Sequence, residues 1–222
     1  TTEPGGNGRS TAGENFQVKR NGTTIAGELI GPRDPLLKAG SQLTCPFVVS
    51  CNGPGSATMR IDGKTVLLRA GEYTGWIRIA FKAAFGVRIA GICKFLLKST
   101  EPEFKLYVTP INIDPEKPAM PISHPPVYST YLSKRQGPYA TLGLAEDSWA
   151  LNEKLISDDD FLEQCRQHDQ EREKMFFDAL DNVQRGLCVC VFDGTDRVQH
   201  TFWRQMDKDH PANGGNAAAV GH

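Results

Sequence analysis

Through residues 16–109 the apolar side chains tend to recur at every second position, and beyond residue 127 at every third or fourth. The first period belongs to a strand with one wet face, the second to a helix with one packed face. In "WIRIAFK", Ile77, Ile79 and Phe81 alternate with Trp76, Arg78, Ala80 and Lys82, which predicts a half-solvated strand. "FQVKR-NG-TTIAGELI" and "ATMRI-DG-KTVLLRA" each place Asn-Gly or Asp-Gly between two such runs. Those dipeptides suit a two-residue hairpin loop, whose residues need positive φ. "VRIAGICKFLLK" and "FKLYVTPINI" continue the series. The expectation for 16–109 is a β-rich domain, sandwich- or barrel-like.

Residues 110–126, "PINIDPEKPAMPISHPP", carry six prolines. Proline fixes φ and removes a donor, so this stretch reads as an extended connector and a boundary. Its His124 reads as a polar loop residue. Over 127–211 the pattern is helical. "PPVYSTYLSKRQG" predicts a helix stopping at Gly137-Pro138, and "AEDSWALNEKL" a short helix with Trp149 and Leu151 packed. Ser157-Asp-Asp-Asp160 carries a helix cap with an acid three residues on, and more carboxylates at the positive end of the dipole. Phe161, Cys165, Arg172, Phe176, Ala179 and Val183 follow at helical spacing, with Gly186 as the expected C-terminal cap. His168 on this helix reads as solvated or packed rather than as a ligand. "LCVCVF" (187–192) is short and apolar on both faces, so it predicts a fully buried strand; "DRVQHTFWRQM" predicts a helix after it. Helix, buried strand and helix are the grammar of an α/β sheet, whose chemistry gathers at the carboxyl ends of strands. The predicted class is therefore α+β or α/β, a β-rich first half followed by a partial α/β core. Residues 1–15 and 212–222 read as a flexible lead-in and tail.

Charge divides the chain the same way. The total is −1, but residues 1–105 hold 14 Lys/Arg against 8 Asp/Glu and residues 106–222 hold 11 against 18. The near-neutral total argues neither for nor against nucleic acid, no specific nucleic-acid or membrane partner is expected, and the two halves can complement each other. Arg78, Lys82, Arg88, Lys94 and Lys98 read as the wet side of a sheet in preference to a polyanion-binding face. Six cysteines without dense spacing predict free thiols and a reducing, cytoplasmic setting. Cys188 and Cys190 should share one face of their strand as small apolar groups. No apolar run of membrane-spanning length occurs.

The candidate chemistry lies in "VFDGTDRVQH". Positions i and i+4 share a helix face, so Asp196 and His200 can grip one ion, and a carboxylate with a neutral imidazole suits zinc or another first-row metal. Two ligands make only part of a site. Asp193 can serve as a ligand, hold His200 through a hydrogen bond, or cap the helix.

The segment "ALDNVQRGLCVCVFDGTDRVQHTFWRQMDKDHPA" resembles the alkaline phosphatase superfamily, in particular its bacterial type I phosphodiesterase/nucleotide pyrophosphatase branch. "GELIGPRDPLLKAGSQLTCPF", "LRAGEYTGWIRIAF", "LYVTPINIDPEKPAMPISHP" and "YATLGLAEDSWALNEKL" resemble the middle of the same proteins, so the likeness runs from about residue 14 to 211. It implies an alkaline-phosphatase-like core in which two metals, usually zinc, flank a Thr or Ser nucleophile and act on a phosphorylated small molecule. Asp196 and His200 match the Asp and His of the Asp-x-x-Gly-His ligand motif, with Gln199 in place of glycine. The early Asp and nucleophile have no match. Asp209-His210 is a poor stand-in for the later Asp-His pair, only ten residues past His200, and His222 sits in the tail. The resemblance therefore implies an internal piece of a larger hydrolase, inactive alone, whose partners include the rest of the parent chain. The β-rich half would cap the site or select substrates. The competing expectation is a non-catalytic β-rich binding or assembly module, and a truncated core would expose sheet edges and favour self-association.

Overall fold

The computed structural model of the protein describes residues 18–36, 41–143, 145–207 and 209–211, so the lead-in and tail expected over 1–15 and 212–222 lie outside the described residues. Ten strands come first: β1 (Lys19–Asn21), β2 (Thr24–Arg33), β3 (Gln42–Gly53), β4 (Ser56–Ile61), β5 (Lys64–Arg69), β6 (Ile77–Lys82), β7 (Arg88–Cys93), β8 (Phe95–Ser99), β9 (Lys105–Val108) and β10 (Asn112–Ile113). Four helices follow: α1 (Val127–Gln136), α2 (Ser148–Asn152), α3 (Asp158–Asn182) and α4 (Gly194–Met206). Strands β1 to β5 form one sheet in chain order, β10, β7 and β6 a second, β8 and β9 a third. All these pairings are antiparallel. The class is α+β, without a closed barrel or a parallel α/β core among the described residues.

Period-two patterning builds the first half as the sequence predicts. Along β3, Leu43, Cys45, Phe47 and Val49 are buried while Gln42, Thr44, Pro46, Val48 and Ser50 are exposed. Pro46, which has no N–H, lies just beyond the last β3–β4 pair, Phe47 with Ile61, so the ladder with β4 loses no bond. At the second hairpin Ile61 pairs with Lys64, and the two loop residues Asp62 and Gly63 both take positive φ, 44° and 74°. At the first hairpin Asn21 pairs with Thr24, so the loop is Gly22-Thr23, one residue past the predicted dipeptide.

Strand β8 joins the two halves. Phe95 and Leu97 point into a core shared with Ile25, Val49, Met59 and Phe81. Leu96 points the other way, into a second cluster with Tyr107, Ala150, Phe161, Cys165 and Phe202. All three β8 side chains are fully buried. One edge of β8 pairs with β9; along the other, Gly71 N–H donates to Leu97 O at 2.9 Å and Thr74 N–H to Phe95 O at 2.8 Å.

The residues that flank Leu96 on its face dock helix α3. Lys98 pairs with Asp160 in the first turn. Lys94 Nζ donates to Gln167 Oε1 at 2.7 Å and Glu171 Oε1 at 3.2 Å, and lies 4.5 Å over the Trp76 ring. The wet-face reading is thereby corrected for Lys94, whereas Lys82 and Arg88 are exposed as it expects. Lys94 is buried, with its pKa pushed down by burial and partly restored by Glu171; Arg78 pairs with Asp114 and Glu116, and Arg88 with Asp62. These bases are structural because burial or close approach to carboxylates uses their charge.

Other expectations meet mixed outcomes. The proline-rich segment is tied down: β10 pairs with β7, and buried Asn112 Oδ1 accepts from Thr141 N at 2.7 Å and Leu142 N at 3.1 Å. Helix α1 stops at Gly137, φ 91°. Helix α3 opens with the predicted capping box between Ser157 and Asp160, but it ends at Asn182 with Val183 as the cap, leaving Gly186 beyond it. The largest departure is "LCVCVF". It forms no strand: Leu187, Val189 and Val191 are 87%, 72% and 74% exposed, because among the described residues no strand lies beside it to satisfy its backbone.

Glu171 gathers three donors, Trp76 Nε1 at 2.7 Å, Lys94 Nζ at 3.2 Å and Ala140 N at 2.9 Å. Glu171→Ala takes an acceptor from all three and removes the carboxylate paired with the buried Lys94 cation, which keeps only Gln167. The expected loss is roughly 3 kcal/mol, read as a lower urea midpoint at unchanged slope; an unaltered midpoint would show that this contact does not hold α3 on the sheet.

Candidate functional site

Helix α4 carries both predicted ligands, and its periodicity decides where they face. Gly194 and Phe202 are buried and Val198 packs beneath them against the helical cluster; these positions, at i, i+4 and i+8, form the inward stripe. Asp196 and His200 fall on the opposite face, with side chains 59% and 81% exposed. Asp196 Oδ1 stands 3.2 Å from His200 Nε2. The expected i, i+4 pairing is therefore present in space. Among the described residues no group of three or more His, Cys, Asp or Glu could hold a metal ion, so the pair is at most part of a coordination sphere.

Several contacts fix α4 against α3, and they run antiparallel along the two helices. Phe202 packs on Phe161, ring centroids 6.0 Å apart. Asp158 binds Arg204 at 3.7 Å and accepts from Gln205 Nε2 at 3.1 Å. At the other end Arg172 pairs with Asp193, and Gly194 lies so close to the Asp169 carboxylate that a Cβ there would overlap it. Asp193 occupies the cap position of α4 without making a side-chain capping bond; its carboxylate faces Arg172 of α3.

Beneath this arrangement lies a buried polar pair. Glu146, with a fully buried side chain, sets Oε1 3.1 Å from His168 Nδ1, and its Oε2 lies 3.5 Å from Arg197 Nε on α4. His168 stacks on Trp76 with centroids 6.3 Å apart. Burial pushes the Glu146 carboxyl up, but the His168 hydrogen bond, its own backbone amide and the charges of His168 and Arg172 outweigh that and hold it below the usual carboxylate range. Glu146 thus clamps α3 to the turn preceding His200. The sequence reading missed this carboxylate. His168, read from sequence as solvated or packed, is packed, three and seven residues after Cys165 and Phe161 on the buried face.

Beside His200 a cleft of about 810 Å³ opens between α2, the α2–α3 turn and α4. Lys98, Lys154, Arg197 and Arg204 line it, with Asp158 as the acid among its lining residues. Among the described residues, His124 and His210 stand apart from it. His124 is exposed in the proline-rich loop, and Asp209-His210 lies in the turn after α4, where His210 N donates to Asp207 O at 3.2 Å. All six cysteines are free, and no helix among the described residues is long and apolar enough to cross a membrane.

No protein-family model, no curated protein and no solved structure matches this chain.

Because Glu146 is more acidic folded than unfolded, its contribution to stability is full above the ordinary carboxylate range and is lost as pH falls through its folded-state value. Glu146→Gln should cost roughly 2 kcal/mol at neutral pH and should flatten the decline of stability toward about pH 3. Urea unfolding across that range reads both effects; parallel curves for the two proteins would remove Glu146 from the acid response.

Proposed function

We propose that this chain is part of a metal-dependent phosphoester hydrolase of phosphodiesterase, pyrophosphatase or phosphomutase type, with Asp196 and His200 holding one divalent ion, zinc by ligand chemistry. The observation that carries the reading is the placement of this carboxylate–imidazole pair. It is solvent-facing on a helix whose other face is firmly docked, next to a cleft lined by Lys154 and by Lys98, Arg197 and Arg204, each of the last three beside a carboxylate. The donor set fits zinc in kind and falls short in number. The remaining ligands and a Thr or Ser nucleophile would come from further polypeptide of the parent protein, and the 222-residue chain by itself would not turn over substrate. A zinc ion held there would supply Lewis-acid polarisation of a phosphoryl group. The chain's own parts in this reading are narrower. Asp196 and His200 present the ion's ligands, Glu146 and Arg197 hold their helix, and Lys154 at the cleft rim, beside Lys98 and Arg204 already paired with Asp160 and Asp158, attracts a phosphorylated small molecule. The β-rich half caps or selects at that rim.

A second reading, a β-rich binding or assembly module without catalysis, draws on the first half's own hydrophobic cluster, which extends across β2 to β8. Metal binding separates the two. Zinc titration by competition with a chromophoric chelator should show one ion taken up by the chain, with affinity at least roughly tenfold weaker in His200→Ala. Equal affinity in both proteins would count against Asp196 and His200 as ligands, and no uptake by either would show that the pair needs the parent's further ligands to hold an ion.

A further inference from the structure

The segment between α3 and α4 is an apolar run with no charge and no proline, Leu187-Cys-Val-Cys-Val-Phe192, the composition of a pairing strand. Its exposure alternates: Leu187, Val189 and Val191 are open to solvent and Cys188 and Cys190 are half-buried, which is the period of extended chain. Among the described residues no backbone hydrogen bond joins it to another strand. Phe192 fastens it to α3, its ring 5.9 Å from that of Phe176. At that end of α3, Phe177, Leu180 and Val183 are also about half exposed. Exposed apolar side chains gathered in this way mark an interaction surface when they adjoin.

We propose that this segment is the dimerisation strand of the protein, pairing antiparallel with the same segment of a second copy about a two-fold axis at Val189. The sequence around Val189 is self-complementary in that register. Leu187 comes opposite Val191, Cys188 opposite Cys190, and Arg185 opposite Asp193 of the second copy, at both ends. Directly opposed residues on antiparallel strands lie on the same face, so the exposed trio of each copy meets the exposed trio of the other. A slip of one residue sets exposed positions against half-buried ones. A slip of two puts Arg185 opposite Val191, or Leu187 opposite Asp193. Asp193 is held by Arg172 and its side chain remains 26% exposed, which leaves it accessible to Arg185 of the second copy. The two-fold makes the contact isologous, so the same patch is used on both copies.

The cysteines report the register. Opposed residues of an antiparallel pair have Cα atoms about 4.5–5.5 Å apart, within the roughly 4.4–6.8 Å that a disulfide spans. In a Cys51→Ser background, which removes the half-buried thiol of β3, Cys188→Ser and Cys190→Ser proteins are oxidised with diamide separately and as a mixture. Diamide takes the two electrons and two protons of each disulfide. The proposal expects a dimer by light scattering for the unmodified chain, little cross-linking in either variant alone, and a covalent Cys188–Cys190 heterodimer in the mixture, identified by peptide mass spectrometry. Val189→Lys, at an exposed position, should weaken dimerisation roughly a hundredfold while the circular dichroism and melting curve stay those of the folded chain. A monomeric chain at micromolar concentration, Cys188–Cys188 or Cys190–Cys190 links, or open-ended assemblies in place of a dimer would each overturn it.

Discussion

Burial of β8 on both faces is the constraint from which the rest of the molecule follows. An edge or surface strand has one apolar face; Phe95–Ser99 has two, and each is covered by a different layer. Phe95 and Leu97 close the antiparallel sheets, whereas Leu96 seats the helices. A fully buried aliphatic or aromatic side chain contributes about 1.5–3 kcal/mol, so these three consecutive residues bind the layers with a free energy comparable to the stability of a small domain. The strand tolerates this position because its backbone is satisfied on both edges, by β9 and by residues 71–74.

Charge then fixes what the apolar contact leaves free. A hydrophobic face sets the distance between strand and helix but not the rotation of the helix. Lys94 and Lys98, one on either side of Leu96, find Glu171 and Asp160 near the middle and start of α3, which sets both its direction and its facing. Similar logic repeats one layer out. Phe161 and Phe202 supply the apolar contact between α3 and α4, while Asp158, Arg172 and Glu146 engage Arg204, Asp193 and Arg197 at separate points along it. Glu146 is the buried member among them, and removing its partners is costly because its carboxylate would be left desolvated, so that contact specifies geometry as well as contributing stability.

The result is a helix α4 with one face committed and one face available. Its inward stripe of Gly194, Val198 and Phe202 is used up by α3, and a 3.6-residue repeat then leaves Asp196 and His200 to solvent. The connection that delivers α4 is unusual in the opposite sense. Leu187–Phe192 is apolar enough for an interior and lies largely in solvent, held to the body through Phe192 on Phe176. The solvent-facing Asp196–His200 pair and this exposed apolar segment adjoin in the chain.

Much of this was legible in the residues alone. Period-two runs located most of the strands, Asp62-Gly63 its hairpin, Ser157 and Asp160 the start of α3, and the i, i+4 spacing of Asp196 and His200 their common helix face, because each depends on neighbours within a few residues. Two short apolar runs show where that reach stops. "FLLK" and "LCVCVF" look alike as sequence, and the second is the better buried strand by composition. Only the tertiary structure makes the first a doubly covered strand and leaves the second open, since burial of a strand requires other segments to supply hydrogen bonds along its edges and side chains over its faces. The same holds for Lys94 and Glu146. Nothing near them in the chain marks them as interior; their partners, Glu171 for one and His168 and Arg197 for the other, arrive from 22 to 77 residues away, and a charge can be buried only where such partners are assembled around it.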